Sequence, residues 1–255
     1  MTYETLLIQQ DGPVMTVRMN RPEKRNAINN QMHLDIQEVC HRLADDFETR
    51  AVILTGEGAT FSAGADTSEW GKPGPDNELE LRHQSGIGSR TSAAIENLDQ
   101  ITIAAVHGYA VGGAAVLASC CDFRVAGPST WFSIPEVELG IPLSWNALPR
   151  LARAVGHQRA LELTVLCERI SGQLAFEYGL VSHLSEDGEE LALANELAQK
   201  VVSKPALPVA LTKASMKALR RQTESGEVSY SDQDLLLYSR LMQQRGRRRG
   251  GENAD

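Results

Sequence analysis

Two glycine-bearing turns and one carboxylate are the parts of this 255-residue sequence best suited to chemistry. The pair Gly112-Gly113 follows an apolar run at 101–106 and His107-Gly108, and opens a small-residue stretch, 114–119, that reads as a buried helix. An earlier turn, Ala63-Gly64-Ala65-Asp66, sits in a small-residue loop at 61–70. Glycine where a strand turns into a helix lets a ligand approach bare backbone N–H groups. In the functional reading, the N–H groups of Ala65 and Gly113 converge on one carbonyl oxygen, and the helix opening at Gly113 turns its positive end toward developing charge. In the alternative, both are tight turns needed only for packing. Glu136 follows a proline at the end of an apolar strand at 131–134. A carboxylate there is either a surface turn residue or a pocket base with a raised pKa. Glu138, two residues on, could share its side of an extended segment. Together these positions describe an oxyanion-stabilising site with one general acid/base.

Other chemistries find less support. No G-x-G-x-x-G can be written through Gly108, Gly112 and Gly113, and no Walker motif occurs, which argues against dinucleotide binding. His33 and His41 stand eight apart on an expected helix, His107 reads as a turn histidine, and neither H-E-x-x-H nor C-x-x-C is present, so no metal site is expected. Ser62 lies outside any G-x-S-x-G elbow. The four cysteines, Cys40, Cys120, Cys121 and Cys167, lack framework spacing and read as buried reduced thiols.

The elements that must hold these residues follow from periodicity. Two strands at 5–9 and 14–19 flank Asp11-Gly12-Pro13, a hairpin signal. Met32, Ile36, Val39 and Leu43 recur at helical spacing, and the run AVILT at 51–55 is the pattern of a strand covered on both faces. Residues 71–86 mix Pro, Gly and charge, which predicts a mobile loop or lid. Helices are expected at 89–98, in the later part of 138–156 after a loop and broken at Gly156, at 158–167, and from Ser171 to the Tyr178-Gly179 stop, with strands at 123–126 and 180–184. From residue 189 the pattern is helical. The order is α/β: repeated strand–strand–helix units over residues 1–190, then a helical C-terminal region, 191–255. A net charge of −8 argues against nucleic acid or an anionic membrane as partner. The short tail QQRGRRRG at 243–250 reads as solvated rather than RNA-binding. No 18-residue apolar run and no signal peptide are seen, so a cytoplasmic location without membrane spans is expected.

Five stretches in order, NRPEKRNAI, FSAGADTSE, IAAVHGYAVGGAAVLASCCDFRVA, FSIPEVELGI and RISGQLAFEYGLVSHL, give the chain a resemblance to the enoyl-CoA hydratase/isomerase (crotonase) superfamily over nearly its whole length. The resemblance implies a crotonase-like spiral of repeated β-β-α units with a helical C-terminal trimerisation region, assembled as homotrimers or dimers of trimers. It implies an acyl-CoA thioester as ligand, with no cofactor besides the coenzyme A carried by the substrate. By the same resemblance, Lys24, Arg25, Ala63, Ala65, Asp66 and Thr67 contact CoA, Ala65 and Gly113 supply two oxyanion N–H groups, and Glu136 is the acid/base. Hydratases of this family carry a further glutamate three residues after the oxyanion glycine; here that position is Val116. Dienoyl-CoA isomerases carry an acid eight residues beyond the matched glutamate, where this chain has Ser144. Leu143-Ser144-Trp145-Asn146 replaces a glycine-rich turn, so Trp145, with Val116 and Glu138, is expected to shape the acyl pocket. One acid in place of two favours double-bond isomerisation over hydration.

Overall fold

A computed structural model of the chain describes residues 2–70, 75 and 77–223. The chain opens with β1 (Leu6–Asp11) and β2 (Val14–Met19), an antiparallel hairpin. α1 (Asn30–Leu43) follows, its start fixed by the Asn29 side chain accepting from the Met32 N–H. Next come β3 (Ala51–Gly56), α2 (Glu78–Ser85), α3 (Ile87–Glu96), β4 (Ile101–Val106), β5 (Tyr109–Val111) and α4 (Gly113–Ser119). β6 (Phe123–Ala126), β7 (Trp131–Ser133), α5 (Ala147–Val155), α6 (His157–Val165), β8 (Ile170–Ser171) and α7 (Gly172–Tyr178) lead to β9 (His183–Leu184), α8 (Glu190–Val202) and α9 (Ala206–Thr223).

Two sheets result. The larger has the order β1-β2-β3-β4-β6-β9, parallel from β2 onward, and the smaller the order β5-β7-β8. In a strand, alternate residues face opposite sides, and the large sheet uses both. Val52, Leu54, Ala104 and Val106 join one core with Met32, Ile36 and Val39 of α1 and Leu117 of α4. Ala51, Ile53, Ile103 and Ala105 join a second core closed by Ala194 and Ala198 of α8. The apolar run at 51–55 is therefore covered on both faces, as its composition predicts.

The spacing misjudges four places. Residues 78–85 form α2 rather than a loop: Asn77 caps it by accepting from Leu79 and Glu80, and Glu78 and Glu80 occupy the first turn. Residues 71–74 and 76 of the expected lid lie outside the described residues. β5 and β8 are too short for periodicity to reveal. The strand expected at 180–184 is reduced to β9, because Leu180 and Val181 pack in the core and the Val181 N–H is taken by the Ala175 carbonyl. The arginine-rich tail at 243–250 also lies outside the described residues. Among the described residues no helix is long and apolar enough to cross a membrane.

Candidate active site

The loop after β3 runs parallel to β5 and delivers Ala65 beside the start of α4. The Phe61 N–H donates to the His107 carbonyl at 2.9 Å, Ser62 N–H to Tyr109 at 3.2 Å, and Val111 N–H returns to Ser62 at 3.3 Å. On its other side the loop is stitched to the segment ahead of α1. Ala63 N–H donates to Arg25, Ile28 N–H to Gly64, and Asp66 N–H to Ile28, at 2.8–2.9 Å. Gly64 adopts φ +87°, and a Cβ there would strike the Val111 carbonyl, so only glycine lets the loop approach this closely. With Gly64 N–H on the Ser62 hydroxyl, the Ala65 N–H is the one donor of residues 61–66 left without an acceptor among the described residues. Gly113 is the first residue of α4, where an N–H has no partner inside the helix. Its N–H likewise meets no described acceptor, while that of Gly112 is taken by Ser133 at 2.8 Å. Both donors face the open cleft, where a ligand oxygen or a water it displaces can accept from them.

Glu136 enters the same place from a turn rather than an extended segment. Leu139 and Ile141 N–H both donate back to the Glu136 carbonyl. The turn puts the Glu136 carboxylate against Gly112, where φ is +52° and a Cβ would sit 2.6 Å from Oε1. The Oε2 atom is fully buried and has no hydrogen-bond partner among the described residues. Burial pushes the carboxyl up to about 7. The turn corrects one expectation: Glu138 does not share the side of Glu136 but lies exposed, off the cleft.

These groups line a cleft of about 680 Å³, solvent-open space included. Ala63, Ala65, Thr67, Gly113, Val116, Glu136 and Trp145 all line it, which brings most of the expected site together. Leu143, at the head of the bulkier turn, joins the apolar wall, and Leu139 and Ile141 extend it; these two went unremarked in the sequence, although their alternation in VELGIPL was visible. Among the described residues lining the cleft, Glu136 is the sole ionisable group. Lys24 and Arg25 are exposed at a one-turn helix, Pro22–Lys24, whose end the Ala63 bond ties to the loop. The Asp66 carboxylate accepts from Ser68 N–H and Oγ and from Arg21 Nη1 at 2.8 Å. Those bonds, the Ser68 hydroxyl first, hold it below the usual carboxylate range and make it a brace for the loop. Among the described residues, no three His, Cys, Asp or Glu side chains gather as a metal site would require.

A sequence profile described as enoyl-CoA hydratase/isomerase matches residues 9–253. A short-chain-enoyl-CoA hydratase of Clostridium acetobutylicum is 35% identical over 217 residues, covering 85% of this chain and 82% of the relative. The mitochondrial Δ(3,5)-Δ(2,4)-dienoyl-CoA isomerase of Mus musculus is 31% identical, covering 89% of this chain and 73% of its own. Among solved structures, an enoyl-CoA hydratase from Bacillus anthracis superposes with a TM-score of 0.79 at 30% identity, covering 94% of this chain and 92% of that one. The fold is the crotonase fold, and the chain belongs to the enoyl-CoA hydratase/isomerase family.

Proposed function

We propose that this protein is an acyl-CoA enzyme that stabilises a thioester enolate and moves a proton along the acyl chain, converting 3-enoyl to 2-enoyl thioesters. The observation that carries this is that Glu136 is the single ionisable group among the described residues lining the cleft, with Val116 where a second acid would stand. The unpaired Ala65 and Gly113 N–H groups receive the thioester oxygen as it gains charge, each such donor contributing roughly 3 kcal/mol in enzymes where one has been removed. Glu136, as carboxylate, takes a proton from C2; the resulting dienolate is held by the two N–H groups, and the protonated acid returns the proton at C4. Hydration would need a group to orient and deprotonate water besides the group that protonates C2, and the described residues lining the cleft offer no second acid. Lys24, Arg25, Ala63, Asp66 and Thr67 hold the CoA portion, Asp66 by fixing the loop. Residues 1–190 form the acyl-CoA core. Residues 191–255 serve self-association into trimers or their dimers, which the exposed Leu207, Leu211 and Met216 on α9 support.

Hydration remains the second reading, favoured by relatives named as hydratases. Side-by-side turnover of 2-enoyl-CoA and 3-enoyl-CoA decides between them. Isomerisation should exceed hydration for the same chain length, and Glu136→Gln should lower it by about 10²–10⁴-fold. Faster hydration by the wild type would replace the first reading with the second. Tight acyl-CoA binding without turnover of either substrate would leave a binding protein in place of an enzyme.

A further inference from the structure

Trp145 stands in a conformation that the surrounding structure has to impose. Its φ is +62°, a left-handed value that bulky residues rarely take, and that of Asn146, a residue type that tolerates the region, is +57°. The indole fills the gap between the starts of two helices, and a Cβ at either Gly88 of α3 or Gly113 of α4 would collide with the ring. His33 meets it edge-on, with ring centroids 4.8 Å apart. The backbone pair is pinned by one buried side chain. Arg150 Nη1 donates to the carbonyls of both Trp145 and Asn146 at 2.7 Å, while Nη2 pairs with Glu96 Oε2 at 2.7 Å. Arg150 is 5% and Glu96 9% exposed, and Glu96 also pairs with Arg153 and Arg220. A left-handed pair at the wall of a ligand cleft, held by a buried ion cluster, is strain maintained at a functional site.

We infer that Trp145 is the specificity-determining floor of the acyl end of the cleft, limiting the enzyme to short acyl chains, and that Arg150 is the residue that positions it. This rests on the acyl-CoA reading of the site. The ring touches the same Gly113 whose N–H would hold the thioester oxygen, so it blocks a tail from passing between α3 and α4. Val116, Ile141 and Leu143 line the same cleft as apolar wall. With the indole removed, a longer chain would gain buried methylenes, each tightening binding by about fourfold where it meets apolar surface.

The test is calorimetric binding of free CoA and of saturated butanoyl-, octanoyl- and dodecanoyl-CoA, which do not turn over, to the full chain. Wild type should bind butanoyl-CoA at least tenfold more tightly than dodecanoyl-CoA. Trp145→Ala should reverse that order, with Trp145→Phe intermediate, and leave free CoA unchanged. Arg150→Gln should shift the preference in the same direction as Trp145→Ala, and Arg150→Lys should restore most of it. A purely structural role for Arg150 would weaken all ligands alike and leave the butanoyl-to-dodecanoyl ratio unmoved. Dodecanoyl-CoA binding to wild type as tightly as butanoyl-CoA overturns the inference and leaves the acyl-CoA reading intact; so does equal loss at every length in a folded Trp145→Phe protein. Failure of every thioester to bind the wild type overturns both.

Discussion

At the scale of single residues, Glu136 couples catalysis to pH. Its carboxyl titrates near 7 because burial removes water and Oε2 finds no donor among the described residues. Only the carboxylate can abstract the C2 proton, so kcat/KM for a 3-enoyl thioester should climb about tenfold per pH unit below 7 and level off above it. The same shift acts on stability with a definite sign. The unfolded chain releases this proton near 4.5 and the folded one near 7. The native state therefore keeps full stability from this group below pH 4.5, loses it progressively as pH rises, and carries the whole penalty above 7, roughly 3 kcal/mol. Glu136→Gln should then be more stable than wild type at pH 8 and indistinguishable from it near pH 4, read from urea midpoints. A constant difference across that range would mean that the carboxylate is better solvated than its surroundings indicate. Val116 offers the converse experiment. It is 2% exposed yet lines the cleft, so Val116→Glu should raise hydration of a 2-enoyl thioester relative to isomerisation of a 3-enoyl one. An unchanged ratio in a folded variant would show that a second acid is not what hydration lacks.

At the scale of elements, the oxyanion geometry depends on how the loop at 61–66 lies against β5, and Gly64 is the closest approach. Gly64→Ala places a side chain at φ +87° and against the Val111 carbonyl. The left-handed φ alone costs about 1–2 kcal/mol. If relaxation moves the Ala65 N–H, turnover should fall by about a hundredfold or more, with little change in KM if ground-state binding rests on the other loop contacts. A stability loss with unchanged kcat would show that Ala65 N–H does not face the reacting carbonyl. Much of this site was legible from sequence because it is built on glycines, small residues and one carboxylate at strand ends, where local types report local geometry. The both-face strand β3 was legible for the same reason. What stayed hidden is non-local. β5 spans three residues and acquires its identity from Ser62 and Trp131, its neighbours in space. α2 was masked by the Pro and Gly composition just ahead of its Asn77 cap. Arg150 and Glu96 are 54 residues apart, and no spacing announces their pairing.

At the scale of the whole molecule, α9 is fastened to the body by ion pairs of very different worth, and burial decides which matters. Lys213 is 4% exposed and binds Asp122 Oδ2 and the Gln100 carbonyl, tying α9 to the residues that lead into the parallel strands β4 and β6. Lys217 reaches Asp99, but that carboxylate is 78% exposed. Exposed pairs contribute about 0–1 kcal/mol, whereas losing one partner of a buried pair costs about 3–5 kcal/mol. Asp122 is itself 29% exposed and keeps its bonds from Thr102 N–H and Oγ1, so the lower end of that range applies. Lys213→Met should therefore cost about 3 kcal/mol in urea unfolding, and Lys217→Met less than about 1 kcal/mol. Because neither lysine touches Glu96 or Arg150, both variants should keep the wild-type preference between butanoyl- and dodecanoyl-CoA, in contrast to Arg220→Met, which removes a direct Glu96 partner at 2.9 Å. Equal destabilisation by the two lysine variants would mean that burial does not rank these contacts. A chain-length shift in Lys213→Met as large as that in Arg220→Met would mean that α9 reaches the cleft by a route other than Glu96.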